Sequence, residues 1–212
     1  MFAQDRDLLA LEPELFRDVV WVGQRPVRGS GAVSGSTLTM TTQDVGFDDA
    51  GVDAGRVVRV GGTSLEVIER LSASALTVSR LRASSDAPVI TPTPVATPTI
   101  VEAVTFGPQL AIAHGQVLAL LGLDSAEAGA PGAGSVLNTG SLRLLTSLAA
   151  VHLVLAAASA PVGPESPVGQ RAELYRQRFE IERRRVVAEI DLDGDGVAEV
   201  ARRPSVQRLL RG

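Results

Sequence analysis

The hydrophobic period of the chain switches at Gly107-Pro108, and that switch fixes what it can fold into. Before it, apolar residues alternate with polar ones in short runs; after it, they recur every three or four residues. A β-rich half followed by a helical half is therefore expected, with a few helical residues at the start. Residues 5–18 set acids and leucines around Pro13 and predict a short helical entry. Residues 19–22, 37–42, 56–60, 65–69 and 75–80 then read as strands. Gly61-Gly62-Thr63-Ser64 joins the third and fourth as a tight hairpin, and the Gly/Ser-rich residues 28–36 read as a spacer between the first two. Short strands at this spacing predict a small, curved antiparallel sheet or barrel. Pro88, Pro92, Pro94 and Pro98 make residues 87–98 an extended arm, and residues 99–106 would return as an edge strand.

Three helices are expected beyond the switch. The first covers residues 109–121, with Pro108 suited to its first turn. The second is alanine-rich, starts with Ser141 as its cap, and is stopped by Pro161 after Ala160. The third runs from Pro167 to Ile190. On a helical wheel Tyr175, Phe179, Val186 and Ile190 fall within an arc of roughly 60°. That face reads as an intersubunit one, while Arg176, Arg178, Glu180, Glu182, Arg184, Arg185 and Glu189 cover the rest. The fold class expected is α+β: a C-terminal helical bundle of about three helices with an N-terminal small antiparallel β-sheet or barrel insertion. Its segments are an entry (1–18), a β-domain (19–106), a helical bundle (107–190), and an Asp/Gly turn with a tail (191–212).

Composition narrows the chemistry. The 212 residues carry a net charge of −4, so no positive surface suits general nucleic-acid binding. Every basic residue is arginine, which excludes P-loop and Schiff-base lysines, and with no cysteine there are no disulfides, thiolate ligands or thiol nucleophiles. Aromatic content is 3%, too low for base-stacking platforms. Neither G-x-S-x-G nor H-E-x-x-H occurs, and His114 and His152 sit on apolar helical stretches as core histidines. No enzymatic activity is expected. The start carries no signal-peptide pattern. Residues 144–164 are uncharged, but alanine, Ser159 and His152 within them suit a buried helix better than a membrane span.

The sharpest motif is Asp191-Leu192-Asp193-Gly194-Asp195-Gly196-Val197-Ala198-Glu199. Alternating carboxylates ahead of a glycine match the first half of an EF-hand-type loop, in which the glycine turn folds oxygens around calcium. Position 12, where a bidentate acid belongs, holds Arg202, and Glu199 at position 9 offers a single or water-mediated ligand. Two readings stand: a calcium site on Asp191, Asp193 and Asp195, or a solvated turn. Arg183-Arg184-Arg185 reads as a solvated face paired with nearby glutamates. The tail holds Arg202, Arg203, Val206, Arg208, Leu209, Leu210 and Arg211; being both basic and apolar, it reads as a docking peptide that orders on a partner.

From residue 109 onward these features together resemble the head–tail adaptor (connector) proteins of tailed bacteriophages and of gene-transfer-agent particles. The carriers are an apolar first helix, a long Ala/Leu second helix, and a charged third helix containing residues 172–180. The Asp191–Gly196 run and the arginine pairs of the tail follow. In the N-terminal half, residues 47–58 followed by Leu65-Glu66-Val67-Ile68 and Leu76-Thr77-Val78 have the cadence of small virion β-domains. The resemblance implies a structural virion protein at the head–tail junction, assembled in the host cytoplasm. It would form a homo-oligomeric ring, commonly a dodecamer, beneath the portal protein. DNA would pass through its channel without specific binding, and no membrane would be involved. The C-terminal segment would dock on the portal, and the β-domain would contact capsid or neck proteins. The β-domain departs from the mainly helical adaptors. A tail-completion or neck protein of the same particle is one alternative, and a small calcium-binding interaction module using residues 191–199 is another.

Overall fold

The computed structural model describes residues 1–124 and 130–204, which divide into two compact units. One is residues 4–106; the other joins residues 1–3 to residue 107 and everything after it. In chain order the first unit is therefore an insertion into the second, and the helical entry belongs to the inserted unit.

That unit is a closed antiparallel barrel in the order β1-β2-β5-β4-β3-β6, with β6 pairing back onto β1. Its strands are β1 (Val27–Ser34), β2 (Thr37–Gln43), β3 (Val57–Val60), β4 (Thr63–Ser72), β5 (Ala75–Ser79) and β6 (Val95–Val104). Alternation along each strand delivers Val27, Leu38, Val58, Leu65, Leu76, Val101 and Ala103 to one core, with Phe47 and Val52 added by the β2–β3 connection. Gly61 and Gly62, at φ 56° and 88°, make the two-residue turn between β3 and β4. Two short helices, α1 (Asp5–Leu11) and α2 (Leu15–Asp18), precede the barrel.

Four expectations change here. Residues 19–22 form no strand; a 3-10 turn occupies Val22–Gln24. The supposed spacer is β1 itself. Its glycines are needed because β2 crosses so closely: a Cβ on Gly29 would lie 2.0 Å from the Thr42 carbonyl oxygen, and one on Gly31 would lie 2.7 Å from that of Thr39. The strand after the prolines is no edge, since β6 pairs with both β1 and β3 and closes the barrel. The arm is shorter than expected, because residues from Val95 onward already belong to β6.

The second unit holds α3 (Gly107–Leu121), α4 (Thr139–Ser159) and α5 (Pro167–Arg185). α4 packs on both α3 and α5. It begins at Thr139, two residues before the expected cap, and is long and apolar enough to cross a membrane, yet 56% of its apolar window is buried in the protein. Ser166 caps α5 by accepting from the Gly169 N–H at 3.1 Å, and Pro167 fills the first helical position. α5 stops at Arg185, short of Ile190, because residues 188–190 become strand β7 (Ala188–Ile190), paired with β8 (Val200–Arg202). Phe2, Val117, Leu142, Leu145, Val186 and Ile190 share this unit's core.

Candidate functional site

The β7–β8 hairpin presents residues 191–199 as its loop. Asn138 anchors the base from both sides: its Nδ2 donates to the Val187 carbonyl at 2.8 Å, and its Oδ1 accepts from the Glu189 N–H at 2.9 Å. Within the loop, Asp191 accepts from the Gly194 N–H at 2.6 Å and the Gly196 N–H at 2.8 Å. These backbone donors, Gly196 first, hold the Asp191 carboxyl below its ordinary range. Gly194 and Gly196 take φ of 85° and 87°, which an L side chain resists. Asp193 accepts from the Asp195 N–H, and Asp195 from the Val197 N–H.

Glu199 supplies what the motif lacked. The hairpin folds it back so that its carboxylate accepts from the Leu192 N–H at 2.6 Å. Oxygens of Asp191, Asp193, Asp195 and Glu199 then all lie within 4.8 Å of one another. Four hard oxygen donors around a glycine-turned loop fit calcium in ligand type, and each carboxylate keeps lone pairs beyond the hydrogen bonds it accepts. Arg202 is directed elsewhere, donating to the Leu121 and Gly122 carbonyls at 2.9 and 3.3 Å at the end of α3.

The other expected sites fare differently. Tyr175, Val186 and Ile190 are buried and Phe179 half-buried, with Phe179, Val186 and Ile190 lying in this unit's own core. Only Tyr175 and Phe179 lie on α5; Val186 follows the helix and Ile190 belongs to β7, so the expected helical arc does not form, and these residues pack inside their own unit. The apolar residues that α5 leaves exposed are Leu174 and Ile181. Arg203 is exposed, whereas Val206, Arg208, Leu209, Leu210 and Arg211 lie outside the described residues. Arg183 pairs with Glu180 at 2.8 Å, as a solvated face would. His152 shares a hydrogen bond with the Ala172 carbonyl, and His114 packs edge-on against Phe2, where burial lowers its pKa.

Sequence reasoning missed the buried charges of the barrel unit. Glu66 is fully buried between Arg6 and Arg82, the Arg6 Nε lying 2.6 Å away. Asp5 accepts from Thr105 Oγ1 at 2.7 Å, the Phe106 N–H at 2.8 Å and Arg56 at 3.1 Å, which ties the two chain ends of this unit together. Burial nonetheless raises the Asp5 pKa. Glu102 receives Arg25, Arg28 and Arg59. Tertiary folding brings these partners together, with α1 supplying Asp5 and Arg6 and the strand register setting Arg28 and Arg59 beside Glu102; the one local signal was an Asp-Arg pair at the start of a helix. A groove of about 320 Å³ beside Leu9, Pro13 and Thr63 holds one acid and one base, Glu14 and Arg17, which pair with each other. No protein-family model, curated protein or solved structure matches the chain.

Proposed function

We propose that the chain is a non-enzymatic structural subunit of the head–tail adaptor kind. It assembles as a ring beneath a portal, extends the DNA channel without gripping DNA, and offers a platform to a neck or tail-completion protein. The observation that carries this reading is an unpartnered apolar line on the helical unit. Leu174 and Ile181, 44% and 58% exposed, stand seven residues apart along α5. Seven residues is close to two helical turns, so both project along one side. On a unit that already has its own core, such a line is what a neighbouring copy would cover. Arg203 and the residues after it remain the portal-docking element of this reading.

The test replaces both residues, Leu174→Glu with Ile181→Glu, and compares mass and circular dichroism with the parent. A chain that keeps its helicity but no longer forms large species is expected; unchanged assembly overturns the reading.

A second reading, a calcium-binding interaction module, is favoured by the four carboxylates gathered within 4.8 Å. Calorimetry with calcium chloride should give saturable binding that Glu199→Gln weakens by about tenfold, since charge count sets affinity in such loops. No heat at millimolar calcium contradicts it.

A further inference from the structure

Three arginines of the barrel unit share a single carboxylate. In register across β1, β6 and β3, Arg28 pairs with Glu102, and Glu102 with Arg59. These residues alternate with the core residues Val27, Val101, Ala103, Val58 and Val60, so the row lies on the barrel's outer surface. Arg25 joins from the segment ahead of β1. The three guanidiniums approach Glu102 to 3.1, 3.5 and 3.5 Å for Arg25, Arg28 and Arg59. Asp44, the acid next to Arg28 on the β2 side, is engaged by the N–H groups of Arg28 and Val45. Three guanidiniums against the Glu102 and Asp44 carboxylates still leave the row with a positive excess.

Part of that charge is hard to hydrate. The Arg25 and Arg59 side chains are 26% and 16% exposed, and the Nε of each is buried without an acceptor. Glu102 alone does not neutralise three guanidiniums, so an acidic surface settling over the row is favoured. Arg28 is different: its side chain is 61% exposed and free to close over a ligand. One pair further along β6, Ile100 stands 57% exposed on the same outer face. Arginine beside an exposed aliphatic group is the composition of a protein-binding surface. Three cations sharing an acid are too few for a nucleic-acid tract, which draws its affinity from many phosphates.

The acidic loop of the helical unit has the complementary pattern. Asp193, Asp195 and Glu199 are exposed, and so are Leu192 at 46% and Val197 at 62%. A divalent cation in the loop would reduce its negative charge and still leave it acidic. We infer that the Arg25–Arg28–Arg59 row of one copy receives the residue 191–199 loop of a second copy, with Leu192 and Val197 against Ile100. Such a contact joins two different surfaces, and heterologous contacts of that kind propagate around a ring. The inference rests on the ring reading above and specifies its contact.

Charge reversal in the full chain tests it. Arg28→Glu and Asp195→Arg alter exposed side chains, and circular dichroism would verify that both variants fold. Each alone should raise the concentration needed for self-association, read by sedimentation velocity, by about tenfold, the usual penalty of facing like charges. The two together in one chain should restore association, because every contact then has its charges exchanged. If the parent associates and neither change matters, or if the double variant stays weak, the contact lies elsewhere and the inference falls while the ring survives. If the parent never associates, with or without portal, both readings fall.

Discussion

The barrel unit and the helical unit place their clustered acids differently. The barrel unit buries a few acids against partners: Asp5 and Glu66 are fully buried and met by arginines, hydroxyls or backbone N–H groups. Its strands close on themselves, which leaves no unpaired sheet edge around the ring of strands. The helical unit gathers Asp191, Asp193, Asp195 and Glu199 in its hairpin loop, the last three exposed, and leaves Ile112, Leu174 and Ile181 outside. A barrel cannot slide its register without turning its core outward, so it suits a rigid insert. Helices with spare apolar sides suit assembly.

The largest expected effect breaks the first half of that contrast. Glu66→Ala removes the carboxylate between Arg6 and Arg82, leaving Arg82 without its acid and Arg6 with only Asp7 at 3.4 Å. A loss of about 3–5 kcal/mol of stability is expected in urea unfolding, following the cost of orphaning a buried charge. A loss under about 1 kcal/mol, the scale of an exposed pair, would show that solvent reaches this cluster. Gly29→Ala comes next. Its Cβ would meet the Thr42 carbonyl, so the β1–β2 approach must widen, at about 1–3 kcal/mol as for other overpacked sites. Both changes should leave the helical unit's hairpin intact.

The contrast also explains how much could be read from the sequence. The three helices were legible because Pro108, Pro161 and Pro167 punctuate a helical period and alanine fills what lies between. The β3–β4 hairpin was legible through Gly61-Gly62. β1 was not, because its glycines answer to the backbone of β2, a strand met only after folding. The third helix's apolar arc was misleading, because Val186 and Ile190 lie beyond the helix end and pack inward from the segment that becomes β7. The candidate metal loop was visible through Asp191, Asp193 and Asp195, and the part of Glu199 was not. It depends on β7 and β8 pairing so that a residue eight positions on returns to the first aspartate.

The smallest effect concerns that loop. Asp191 titrates below the ordinary aspartate value of 3.8, so its contribution to the hairpin is present above that value. It is lost as pH falls through the lower, folded value. Protection of the Gly194 and Gly196 amides, measured against intrinsic exchange at each pH, should persist at pH 5 and be lost only in stronger acid. Loss of protection already near pH 5 would mean that the Asp191 hydrogen bonds do not hold the loop.

The central claim is that the chain assembles through its helical unit, whose exposed apolar line and acidic loop meet neighbouring copies, the loop on the arginine row of the next copy's barrel. Native mass spectrometry of the unmodified chain, alone and with a portal protein, tests it most directly. The account predicts a closed ring of discrete mass under at least one of these conditions. A chain that stays monomeric under both would contradict it.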